Sequence, residues 1–194
     1  MEKKIPFEPV VMLVDATYLE RVGTDLTEHF APLVKRELPK ADLAVLLECL
    51  ALDAGVPLGE NKVQVIFIYD EADKRFSFCD PSDLEKELHA TAFKSQLGEF
   101  SLYAFQPSGF ATREDLFLES FQLLGESKEV RRVIAVPDED GYGERLASYI
   151  NKVGEGKEGV TVFGMNPPVY QGKYAFEMLG FAVLQALGIR ADEL

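Results

Sequence analysis

The chain has 194 residues, 47% of them hydrophobic, and its 20 basic and 33 acidic residues give a formal charge of −13. A chain of this size buries roughly 70% of its unfolded surface around one core, and the acidity disfavours a dominant basic nucleic-acid face while favouring solubility and cation binding. Two cysteines, Cys49 and Cys79, exclude a disulfide scaffold, and two distant histidines, His29 and His89, cannot by themselves build a His-rich metal site.

From the N-terminus, Met1-Glu-Lys-Lys4 precedes an apolar run, Val10 to Val14, far too short for a signal core or a membrane span. A cytoplasmic protein with no membrane partner is the expectation. The tail Ala191-Asp-Glu-Leu194 resembles a retention signal, but without an entry signal it reads as coincidence. Val10 to Val14 and Val63 to Tyr69 are continuous apolar runs ending in Asp15 and Asp70, and both read as strands buried on two faces. Phe100 to Phe105, Val130 to Val136 and Val160 to Phe163 repeat the pattern, predicting about five strands.

Helices are expected between them. Thr24 to Leu38 has Thr24 or Asp25 as its cap and Lys35 and Arg36 near its end. Ala41 to Ala54 follows, apolar nearly all round, so that it is either deeply buried or a subunit contact. Asp80-Pro81 opens a helix through Leu84, Leu88 and Phe93 to Gly98; Thr112 to Asp115 starts one that Gly125 closes; Arg145 to Asn151 makes the next. Pro167-Pro168 marks a break before a last helix, Lys173 to Leu187, which either packs on its own sheet or forms a dimer contact. The alternation predicts a three-layer α/β/α fold with a mostly parallel sheet. The expected organisation is one α/β domain over residues 1–194, with a core of about 10–165 and an appended C-terminal helical segment of about 166–194.

In such sheets the functional crevice lies beyond the carboxyl ends of the strands. Asp15 follows the first strand, Asp138 and Asp140 follow the fourth, and Asp115 opens the helix before it. Carboxylates gathered there would repel one another unless a cation held them ionised, and Mg²⁺ or Mn²⁺ suits an all-oxygen set. Such an ion can activate water against a phosphodiester.

Val10-Val-Met-Leu-Val-Asp15, the strand ending Ile68-Tyr69, and Arg132-Val-Ile-Ala-Val-Pro-Asp-Glu-Asp140 leading to Val160-Thr-Val-Phe-Gly164 resemble the NYN branch of the PIN-like nuclease superfamily over about residues 10–165. The resemblance implies a Rossmann-like fold and metal-dependent RNA cleavage by Asp15, Asp115, Asp138 and Asp140, with Asp15, Asp138 and Asp140 as metal ligands. Two departures stand out. Ala16, Thr17 and Tyr18 replace the Asn that usually follows the first Asp, and Val136-Pro137 replaces a Ser-Gly.

Each residue also has a plainer reading. Asp15 can cap a turn, Asp115 a helix start, and Asp138 with Asp140 the helix that follows. Glu48 is either an extra ligand or the solvent edge of its helix, Asp70 and Glu71 fit a polar turn, and Tyr18, Tyr142 and Tyr170 either stack bases or serve the fold. The basic stretches at Asp73 to Arg75, Lys128 to Arg132 and Lys152 to Lys157 form no phosphate track, and Gly154-Glu-Gly-Lys157 is no P-loop. Two functions therefore compete: a metal-dependent ribonuclease acting on RNA, and a catalytically inactive domain that dimerises or docks to a protein partner.

Overall fold

A computed structural model describes residues 6–168 and 170–194; the leading Met1 to Lys4 lies outside them. At the centre is β1 (Val10–Asp15), with all six residues buried. Successive side chains of a strand point to opposite faces. Met12 and Val14 therefore enter one core and Val11 and Leu13 the other. Such a strand can be flanked on both sides only by other strands, and β1 pairs in parallel with β3 (Asn61–Ile68) and β7 (Arg132–Val136).

The remaining strands extend the sheet outward. β6 (Gly98–Phe105) joins β3, β8 (Gly159–Gly164) joins β7, and β9 (Ala175–Met178) joins β8, all in parallel. β5 (Thr91–Ser95) runs antiparallel along the outer edge of β6. The seven-stranded order is β5-β6-β3-β1-β7-β8-β9. The chain winds outward from β1 to one side and then returns to build the other, so the direction of winding reverses between β1 and β7. Two short strands, β2 (Ala41–Asp42) and β4 (Cys79–Asp80), pair separately.

Helices cover both faces. On one, α1 (Ala16–Phe30), α2 (Leu43–Asp53) and α5 (Leu179–Ala186) pack over Met12, Val14, Phe67 and Phe163. On the other, α3 (Arg113–Glu126) and α4 (Glu139–Gly154) pack over Val11, Leu13 and Val133. Among the described residues, no helix is long and apolar enough to cross a membrane.

All five expected strands are present, and β5 and β9 raise the main sheet to seven. The first helix begins at Ala16 rather than Thr24 and ends at Phe30, because Asp15 caps it directly off the strand and Tyr18, Leu19 and Val22 supply its buried stripe. The expected helix from Asp80 to Gly98 is a single π turn, Leu84–Leu88, followed by β5. Asp83 caps that turn, and Ala90, at φ 60°, turns the chain into an antiparallel pairing where Phe93 stacks on Phe100 at 4.8 Å. The helix expected over Lys173 to Leu187 divides: Ala175 to Met178 extends the sheet as β9, and only Leu179 to Ala186 is helical. The helix expected over Arg145 to Asn151 is the middle of α4, which starts at Glu139.

Candidate functional site

Asp15 ends β1 and Asp138 lies two residues beyond β7, so both stand where the winding reverses. Both are also helix caps. Asp15 Oδ1 accepts from the Tyr18 amide at 2.9 Å, and Asp138 Oδ1 accepts from the Gly141 amide at 3.1 Å. A carboxylate at a helix start satisfies an amide that has no partner within the helix and meets the positive end of the dipole. Capping thus fixes both side chains at the rim, and the capping and site readings describe the same atoms.

The space between them holds Arg113, the first residue of α3. Its Nε donates to Asp15 Oδ2 at 2.9 Å, its Nη1 to Asp70 Oδ2, and its Nη2 to Asp138 Oδ2 at 3.2 Å. One planar guanidinium therefore joins the acids that follow β1, β3 and β7, a use of its rigid fork that no lysine can reproduce. Asp15 Oδ2 also accepts from the Tyr142 hydroxyl at 2.6 Å. Within the first part of α4 the backbone leaves helical values at Tyr142 (φ −145°, ψ 22°), where the ring packs on Phe117 and the hydroxyl reaches Asp15. A second cation, Arg21 from α1, donates to Asp138 Oδ1 at 2.9 Å and lies 3.6 Å from Asp140.

Burial sets the electrostatics. The Asp15 carboxyl is held above its usual range by burial, against the lowering effects of Tyr142, the Tyr18 amide and Arg113. Burial and the neighbouring Asp15 carboxylate raise the Tyr142 phenol, so it stays protonated and donates. For Arg113, burial works to lower the pKa, but the ion pairs with Asp15 and Asp70 outweigh it and the net shift is upward.

The other expected residues make no contact with the Arg113 guanidinium. Asp115 is the third residue of α3 and closes a capping box: it accepts from the Thr112 amide at 3.0 Å while Thr112 Oγ1 accepts from its own amide at 3.1 Å. Asp140 is at the rim but its side chain is 73% exposed. Glu48 accepts from Gln96 at 2.8 Å, near the start of β6 and thus at the opposite end of the sheet from the rim. The Asp70 amide meets Thr17 Oγ1 at 3.5 Å, so Thr17 ties the end of β3 to the first turn of α1. Tyr18 donates to Glu139 at 2.8 Å. In the basic stretches, Lys157 donates to the Ser127 and Val130 carbonyls, Arg131 pairs with Glu158, and Arg75 with Asp83.

A divalent cation would need free carboxylate oxygens in the middle of this group. Every oxygen of Asp15 and Asp138 already accepts a hydrogen bond, and the guanidinium lies where the three acids converge. Among the described residues, no three His, Cys, Asp or Glu side chains are poised around one ion. In this arrangement the donor set does not fit the metal that the resemblance implies.

Sequence pattern alone does not single out Arg113, Arg21 or Glu139. Glu139, one residue past the Asp138 cap, accepts from Tyr18 Oη and from the Met165 amide at 3.0 Å, binding α1 and the loop after β8 to the start of α4. The local clue to Arg113 was its position, since a cation at the positive end of a helix dipole is unfavourable without an acidic partner. Residues 4–194 match the model of a family of unknown function, DUF6621. The chain belongs to this family. No curated protein and no solved structure matches it.

Proposed function

We propose that this DUF6621 member is a PIN-like domain without metal-dependent catalysis, in which Arg113 supplies the cation for the rim carboxylates, and that it acts by binding a protein partner. One observation carries this reading: Arg113 joins Asp15, Asp70 and Asp138 where a PIN-like nuclease would need a divalent ion. The sheet order supports the PIN-like part, because the parallel strands run outward from β1 on both sides and place two acids at the point of reversal. The charge of −13 is consistent with a domain that does not hold a polyanion.

Thermal unfolding with Mg²⁺ or Mn²⁺ tests it. A ligand that binds only the folded state stabilises it by about 2.7 kcal/mol at 100 times its Kd, so a real site gives a visible shift at millimolar metal. The expected result is an unchanged Tm and no cleavage of single- or double-stranded RNA. A saturable rise in Tm that Asp138→Asn abolishes would overturn the proposal and favour the ribonuclease.

A further inference from the structure

Side chains fill the crevice expected at the reversal point: Arg113, Tyr142 and their carboxylate partners. An open cleft of about 230 Å³ lies one strand further along, at the carboxyl ends of β7 and β8 and against β9. That is below the roughly 300–1,000 Å³ typical of small-molecule pockets, and it suits one long side chain better than a cofactor.

Its walls combine two features. Tyr170 and Phe176 give it aromatic surface, and Glu139, Asp140 and Glu144 from the start of α4 give it acids; among the described residues, no basic one lines it. Glu139 is spent on structure. Its bonds to Tyr18, Met165 and Asn166 hold the loop after β8 against α4, and a Cβ at Gly164 would collide with Glu139 Oε2, so the brace depends on that glycine. The brace thus sets one side of the cleft, between the start of α4 and the loop after β8. Among the described residues, Asp140 has one ion pair, at 3.6 Å to Arg21, and Glu144 has none.

We infer that this cleft takes the guanidinium of an arginine carried by a protein partner. A guanidinium stacks on aromatic faces and forks to carboxylates, whereas an ammonium is a strongly hydrated point charge. An acid-lined cleft on a chain of charge −13 also steers basic partners toward it. The inference rests on the reading of the chain as an interaction domain.

The test is an NMR titration of the full chain with acetyl-Gly-Arg-Gly-amide, beside the same peptide carrying citrulline, which keeps the shape and loses the charge. Saturable shifts are expected at the amides of Gly143, Gly164 and Phe176 with arginine and not with citrulline. Asp140→Asn with Glu144→Gln should weaken binding at least tenfold, while the equal charge change Glu37→Gln with Glu99→Gln should leave it unchanged. Shifts spread over the surface, equal binding of the citrulline peptide, or equal weakening by the remote pair would overturn the inference. Tenfold tighter binding of free arginine would overturn the protein partner. Adding Mn²⁺ to the same sample separates the two proposals: paramagnetic broadening centred on Asp15 and Asp138 would defeat the metal-free reading and leave the peptide result standing on its own.

Discussion

Arg113 Nε donates to Asp15 Oδ2 at 2.9 Å, joining residues 98 apart in sequence. The same guanidinium reaches Asp70 and Asp138, so a single side chain on α3 ties together the ends of β1, β3 and the turn after β7. Removing one partner of a buried ion pair costs about 3–5 kcal/mol, because the other charge is left uncompensated. Arg113→Ala should therefore lower stability by about that amount in urea unfolding. Asp15→Asn in the Arg113→Ala background should recover part of the loss, since it removes the most buried of the stranded charges. A loss below about 1 kcal/mol, the usual yield of an exposed pair, would mean that the guanidinium does not hold the three carboxylates.

The parts of the fold that were legible in the sequence are those set by local pattern. Val10 to Val14 and Val63 to Ile68 are unbroken apolar runs because they are covered on both faces, and Thr112 announced α3 through its capping box. The parts that were not legible depend on distant partners. Ala175 to Met178 has no strong strand signal of its own and is extended because β8 offers it an open edge. Phe93 fits a helical stripe but pairs with Phe100 across a hairpin. At the site, Asp15 and Asp138 could be found because strand ends are where acids matter. Arg113 could not be assigned from its neighbours, because its three acids stand at or just beyond the ends of three different strands and only the fold brings them together.

A second prediction concerns pH. Glu193 is pushed down to about 2 from its ordinary 4.5, chiefly by the hydrogen bond from Arg36 and also by the Arg190 amide. Its folded pKa is depressed, so its contribution to stability is complete above the unfolded value and is lost as pH falls from about 4.5 through about 2. The C-terminal turn at Ala191–Glu193 should therefore detach from Arg36 in that window. Side-chain carboxyl shifts of Glu193 and the amide of Arg190 report this; a midpoint near 4.5 would mean that the clamp does not form. Asp15 has the opposite sign. Its raised pKa means the folded state takes up that proton first, so protonating Asp15 favours folding rather than opposing it.

Gly23 gives a packing prediction. It lies in α1 against the ring of Phe78, and a Cβ added there would overlap that ring. Alanine is worth about 1 kcal/mol over glycine in a helix interior, but overpacking a core costs about 1–3 kcal/mol. Phe78 is buried and cannot move aside freely, so Gly23→Ala should destabilise on balance. In a Phe78→Leu background the same change should be nearly neutral or stabilising. Equal effects in both backgrounds, read by thermal melts, would show that the contact does not limit the helix.

The two kinds of acid at the rim separate under one substitution. Asp115 closes a capping box with Thr112, and asparagine caps nearly as well as aspartate. Asp115→Asn should therefore cost about 0.5 kcal/mol or less, on the scale of an ordinary surface change. Asp138 is also a cap, but its two oxygens accept from Arg21 and Arg113 as well as from Gly141. An amide in its place keeps the cap, presents only one acceptor oxygen, and sets its NH2 against one of the two guanidinium groups. Asp138→Asn should accordingly cost about 2 kcal/mol or more, in the range for charged hydrogen bonds. The difference between the two variants in denaturant melts measures what the arginines add to a bare cap. If both cost the same, Asp138 is a cap and nothing more, and the Arg113 cluster loses one of its three anchors.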